Sequence, residues 1–160
     1  MFREMRRKKQ LLSEAETVAM LQACTSGVLA VQGDNGYPYA VPLSYAYEDG
    51  NLYFHFANAG HKLDSILKND KVSFCVIQKD EVIQATFTTH FRSAIVFGRA
   101  RILTDASEKR HALECLVAKY SPDYTAQGQT EIERSWDRVS LAEVRIEKMS
   151  GKAASELIQA

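Results

Sequence analysis

Between Tyr37 and Tyr47 the chain alternates without a slip. Tyr37, Tyr39, Val41, Leu43, Tyr45 and Tyr47 hold the odd positions, and Pro38, Ala40, Pro42, Ser44 and Ala46 the even ones. A period of two predicts a strand with one bulky face and one shallow face. Glu48-Asp49-Gly50-Asn51 is a turn signal. Leu52 to Ala57 then reads as the returning hairpin strand, with Leu52, Phe54 and Phe56 on one side and Tyr53, His55 and Ala57 on the other. Upstream, Gly27 to Gln32 is a short apolar run closed by the turn Gly33-Asp34-Asn35-Gly36.

The period changes from two to nearly four in three places. Ser13-Glu14-Ala15-Glu16 has the form of a capping box and predicts a helix of about ten residues. Leu63, Ile66 and Leu67 fall at helical spacing after Asn58-Ala59-Gly60. Asp105 to Glu108 caps a further helix carrying Leu113, Leu116, Val117 and Tyr120, which Ser121-Pro122 ends. Lys71 to Gln78 returns to strand character, as does Val82 to Leu103, expected as two strands bent near His90 to Arg92. A polar loop should follow the Tyr120 helix, and Val139 to Lys148 should form the last strand. About six strands with two or three helices between them predict a mainly β protein, a β-barrel with peripheral helices. A doubly wound nucleotide fold would need a glycine-rich strand-to-helix fingerprint, and neither GxGxxG nor GxxxxGK[ST] occurs.

Composition sharpens this. The 160 residues are 46% apolar and 25% charged, with 20 basic and 20 acidic side chains. No repeat or linker divides them, so residues 1–160 read as one domain, and a chain of roughly 150 residues buries about two-thirds of its unfolded surface. Zero net charge argues against nucleic acid or an anionic membrane as the main partner, and it makes self-association cheap. Residues 1–12 form a basic N-terminal arm, with Arg3, Arg6, Arg7, Lys8 and Lys9 against Glu4. Glu14 and Glu16 interrupt what would be a signal-peptide core, and no apolar run approaches the ~20 residues of a membrane span. Cys24, Cys75 and Cys115 lack any CxxC pattern and read as reduced thiols of a cytoplasmic protein.

Candidate chemistry concentrates in three stretches. His55 to Lys62 leaves a strand, turns through Ala57, Ala59 and Gly60, and enters a helix with Lys62 in its first turn. Helix N-termini favour anions, so a lysine there fits a phosphate; the same residues also fit a solvated lysine beside an ordinary turn. Pro38 and Pro42 withhold backbone donors and confine their strand to an edge or bulge. Such a strand opens a slot for a flat aromatic ligand near Leu43 and Ser44, or simply protects an edge from aggregation. Arg92 could pair with a phosphate and Ser93 with a heterocycle. Arg99 and Arg101 read as an exposed face, and His111 as a helix-surface residue. No metal-ligand spacing and no nucleophile turn is present in the sequence.

The run from Gly36 to Tyr47, with Asp49 to His55, Ala59 to Lys62, Phe91 to Ala100 and Ile146 to Lys152, resembles the pyridoxamine 5′-phosphate oxidase-like flavoproteins. Within them it is most similar to the 5-nitroimidazole-resistance branch. The resemblance covers nearly the whole chain. It implies an FMN-binding split β-barrel, a homodimer with two equivalent flavin clefts at the subunit interface. Position by position, it implies that Val41, Pro42, Leu43 and Ser44 line the isoalloxazine, with His55 and Ala57 beside it. Gly60, His61 and Lys62 would hold the phosphate, and Arg92 and Ser93 would complete the pocket from one subunit or the other. The substrate-phosphate arginine and histidine pattern of the oxidase that names the group is missing near the C-terminus, so pyridoxamine phosphate oxidation is not expected. The implied activity is reduction of a small planar acceptor, a nitroimidazole or quinone, with electrons from NAD(P)H, His55 serving as acid or acceptor-orienting group. An FMN carrier or redox sensor without turnover, and a haem-binding split barrel, are the rival readings.

Overall fold

In the computed structural model, which describes residues 1–158, Ser13 opens α1 (Glu14–Ala23) with both halves of the capping box. Its hydroxyl accepts from the Glu16 N–H at 3.2 Å, and the Glu16 carboxylate accepts from the Ser13 N–H at 2.9 Å. Asp105 performs the same service for α3 (Ala106–Tyr120), accepting from the amides of Ser107 and Glu108. Between and beyond these helices lie β1 (Ser26–Gln32), β2 (Pro38–Ser44), β3 (Ala46–Glu48), β4 (Asn51–Ala57), β5 (Lys71–Ile83), β6 (Thr88–Ile102) and β7 (Val139–Ala153). The remaining helices are α2 (His61–Lys68) and α4 (Thr125–Ser135).

All seven strands join one antiparallel sheet in the order β2-β1-β5-β6-β7-β4-β3. Its two edges, β2 and β3, are separated in sequence by Tyr45 alone. Successive Cα atoms are only about 3.8 Å apart, so the edges must meet there. The sheet therefore curls into a barrel closed at that seam by the chain itself, not by a ladder. This is the split barrel the sequence predicts, with the expected 37–47 strand broken at Tyr45 because its halves serve opposite edges.

The seam is stitched from outside. Buried Tyr45 donates its hydroxyl to Leu21 O at 2.5 Å, and its N–H donates to the Tyr120 hydroxyl at 2.9 Å. The Tyr120 oxygen also lies 2.5 Å from Thr25 O and 2.6 Å from Tyr45 O, either of which can take its single proton. Lys119 donates to Cys24 O at 2.5 Å and stands 4.0 Å from the centre of the Tyr45 ring. Burial lowers the Lys119 pKa and raises that of the Tyr45 phenol. The last turn of α3 thus ties the end of α1 to the β2–β3 junction.

The barrel interior is filled by Leu29, Leu52, Phe54, Phe74, Val76, Val96 and Val144, all essentially inaccessible. A second core, with Tyr53, Leu113, Leu116, Ile132 and Leu141, seats α3 and α4 on the barrel. Tyr53 is therefore buried although it lies opposite Phe54 on β4. Gly98 sits at the β6–β7 bulge, where a Cβ would fall 2.4 Å from Arg145 O, so the ladders close only with glycine. Arg99, between Asp70 and Glu147, and Arg101, between Glu108 and Glu143, form the expected exposed charged face.

Three expectations are corrected. The β5–β6 turn falls at Gln84–Thr86, with Phe87 left-handed at φ 53°, not at His90 to Arg92, which lie inside one continuous strand. The expected polar loop contains α4, whose Gly128 lets the helix approach Val117 of α3. β7 runs to Ala153 because its end stays paired with Arg92 to Val96 of β6. The N-terminal arm is partly docked: Phe2 stacks on Phe97 with ring centres 5.4 Å apart, and Leu12 is buried, its N–H bonded to Gly151 O.

Candidate functional site

β3 pairs with β4 only as far as Ala46 opposite Tyr53. Among the described residues, the outer edge of β4 has no neighbouring strand from Phe54 to Ala57, and the outer edge of β2 has none along its length. These two open edges leave the Tyr45 apex and bound a slot. Val41, Pro42, Leu43 and Ser44 line its β2 side, with Val41 and Leu43 packed against the barrel core and Pro42 and Ser44 exposed. His55 and Ala57, both exposed, lie on the β4 side.

The end of β4 leads directly into α2. Gly60 is its N-cap at φ 133°, a conformation glycine adopts without strain, and nothing lies within 4 Å of where a Cβ would be. Among the described residues no side chain caps this helix, and its first internal bond runs from the Asp64 N–H to Gly60 O. The amides of His61, Lys62 and Leu63 are thus free donors at the positive end of the helix dipole. Lys62 has no carboxylate partner among the described residues; its ammonium stands 5.9 Å from the centre of the Phe56 ring. The His61 ring is held elsewhere, stacked on Tyr39 at 4.1 Å and 3.8 Å from the Asp34 carboxylate. That contact ties α2 to β2.

Arg92 and Ser93 are not brought to this helix start. Ala57 pairs with Val139 at one end of β7, whereas Arg92 pairs with Ala153 at the other. Arg92 donates from Nε to Gln78 at 3.1 Å, beside the β5 bulge, and Ser93 faces Lys152 across the β6–β7 ladder. In a single protomer Val41 to Ser44 lie on the open edge of β2, His55 and Ala57 on β4 lead to Gly60, His61 and Lys62 at the start of α2, and Arg92 and Ser93 lie apart, toward the opposite end of β7.

Two cavities lie outside that set. The larger, about 630 Å³, is between the N-terminal arm and the outer face of β1, β5 and β6, and of the predicted site residues it includes none. The smaller, about 560 Å³, is bordered by Glu48, His111 and Cys115. Here His111, read from sequence as a plain surface residue, is hydrogen-bonded to Glu48, with the Cys115 sulfur 3.5 Å from both. Burial, then the Glu48 charge, pushes the Cys115 thiol up to about 12. Sequence spacing hid this cluster because Glu48 comes from β3, far from the helix; the i, i+4 relation of His111 and Cys115 was its one visible sign.

Comparison with known proteins agrees with the fold. The family model described as pyridoxamine 5′-phosphate oxidase matches residues 13–153. The chain belongs to that family. Solved structures share its fold. A putative 5-nitroimidazole antibiotic resistance protein from Bacteroides thetaiotaomicron is 22% identical, with a TM-score of 0.75, over 89% of this chain and 86% of that one. A FAD-binding protein from Mesorhizobium loti is 28% identical, with a TM-score of 0.62, over 90% and 95%. A FAD and haem binding protein from Mycobacterium smegmatis is 18% identical, with a TM-score of 0.78, over 91% and 73%. No curated protein matches the sequence. Among the described residues no helix is long and apolar enough to cross a membrane.

Proposed function

We propose that this member of the pyridoxamine 5′-phosphate oxidase family is an FMN-dependent oxidoreductase coupling NAD(P)H to a small planar acceptor of nitroimidazole or quinone type. The observation that carries the reading is the slot itself: two unpaired strand edges running to an uncapped helix start with a free lysine. Its residues fit a flavin phosphate, because Lys62 and the amides of His61 to Leu63 offer an anion four donors with no competing carboxylate on Lys62. The open edge of Val41 to Ser44 offers backbone groups to a polar ring rim. When bound, FMN supplies the electron and hydride chemistry, and the protein contributes binding, orientation and electrostatics.

His55 stands exposed on the β4 side, where it orients the acceptor and donates a proton from its imidazole. Arg92 and Ser93 act from a second copy of the chain. Two features support a homodimer: Val28, Cys75 and Ile95 align in register on the outer face of β1, β5 and β6, and Ile77, Val82 and Phe87 are exposed along the β5–β6 hairpin. Three free thiols suit a cytoplasmic setting.

The visible spectrum of freshly purified protein, with chromatography of the extracted cofactor, is the direct test. A two-humped flavin spectrum yielding FMN is expected; FAD in the extract corrects the cofactor, and a Soret band replaces this reading with the haem one. Anaerobic mixing with NADH and NADPH should then bleach the flavin saturably, whereas a carrier would show no saturable response. His55→Ala should keep its flavin and lose most nitroimidazole reduction. Full activity with flavin retained would remove His55 from the chemistry.

A further inference from the structure

Glu48 ends the edge strand β3, and the second core presses α3 against β3 and β4. This packing carries His111 and Cys115, one helical turn apart on the same face, to the Glu48 carboxylate. The Tyr53 ring meets the imidazole edge-on at 5.9 Å and holds its plane. The donor atoms Oε2, Nε2 and Sγ all lie within 4.8 Å of one another. The sulfur is 3.5 Å from the nitrogen and 3.5 Å from the oxygen, while His111 and Glu48 are in hydrogen-bond contact.

We propose that Glu48, His111 and Cys115 bind a divalent cation of zinc type, leaving a fourth position open to the adjoining cavity. Bonds of about 2.0–2.3 Å to sulfur, nitrogen and oxygen imply tetrahedral edges of about 3.3–3.7 Å; both sulfur separations fall in that range, whereas the closer His111–Glu48 hydrogen-bond contact has to open as the ion enters. A thiolate with an imidazole selects zinc over the hard cations magnesium and calcium. One carboxylate and one thiolate neutralise the ion's two charges. Binding releases the Cys115 proton to solvent as the sulfur–metal bond forms, and the proton between His111 Nε2 and Glu48 gives way to the metal, leaving the neutral ring protonated on Nδ1. Without a cation, a carboxylate beside a half-buried thiol disfavours the thiolate; a cation between them reverses that balance. The cavity of about 560 Å³ gives the open coordination position access to water or a small ligand. None of these residues belongs to the flavin slot, so the proposal stands independently of the oxidoreductase reading.

The test uses the full chain as purified, with Co²⁺ and Zn²⁺ as probes and difference spectra to subtract any cofactor. One Co²⁺ per chain should give a thiolate-to-cobalt charge-transfer band in the near ultraviolet. Zn²⁺ should displace it and Mg²⁺ should not. Cys115→Ser should abolish the band, and His111→Gln should weaken Zn²⁺ in chelator competition by more than the about 10–100-fold that loss of an outer partner causes. Cys24→Ser and Cys75→Ser should change neither readout. Circular dichroism checks each fold; if Cys115→Ser does not fold, the exposed His111→Gln carries the decision. Absence of the band in the parent protein, its survival in folded Cys115→Ser, or unchanged Zn²⁺ affinity in folded His111→Gln would overturn the assignment.

Discussion

Lys62 shows how a single residue can be explained by what it lacks. A cation in a first helical turn opposes the dipole, and although Asp64 shares that turn, no carboxylate is ion-paired with Lys62 among the described residues. On the flavin reading, an anion does. Lys62→Ala is therefore expected to weaken FMN binding by about 1.5–3 kcal/mol, the range of a hydrogen bond to a charged group. Fluorescence titration of flavin into the apoprotein measures this, and unchanged affinity would take Lys62 out of the site. His61 differs: with its ring committed to Tyr39 and Asp34, its free amide is the group that faces no competitor. Sequence alone ranked the two residues together, because the stacking partner is set by how α2 folds back onto β2.

At the scale of elements, local chemistry was legible and closure was not. Ser13 and Asp105 announced α1 and α3, and both caps formed as read. They also make stability depend on acid. The Ser13 backbone bond holds Glu16 below the ordinary carboxylate range, and the Ser107 hydroxyl does the same for Asp105. Carboxyls with depressed native pKa values contribute fully above their unfolded values and lose that contribution as pH falls through the native ones. Urea denaturation across the acid range should therefore show a shallower loss for the Glu16→Gln, Asp105→Asn double variant; an unchanged slope would deny the caps this role. Ser13→Ala should cost about 0.5–2 kcal/mol at neutral pH. By contrast, the turn at Gln84–Thr86 has no glycine or proline, and α4 buries only Ile132, so neither gave a periodic or punctuating signal. The break at Tyr45 sits within unbroken alternation, because barrel closure decided it and local preference did not.

For the whole molecule, the outward apolar row is the feature to challenge. Phe87, 97% exposed at the hairpin tip, and Ile95, 44% exposed on the outer face, are costly to leave in water. On the homodimer reading, Ile95→Lys, which leaves the barrel interior untouched, should shift sedimentation from dimer to monomer. If Arg92 and Ser93 act across that interface, it should also lower flavin retention although no slot residue has changed. A dimer that persists, or a monomer that still holds flavin fully, separates the two halves of the proposal. The sheet order has a consequence for the chain's history. β7, the last strand in sequence, lies between β6 and β4. Until it forms, the antiparallel strands β2, β1, β5 and β6 are tethered to a lone β3–β4 hairpin, and hairpins alone are marginal. Folding must wait for residues far apart in sequence, which predicts slow closure and a nascent chain dependent on protection until its final strand is made.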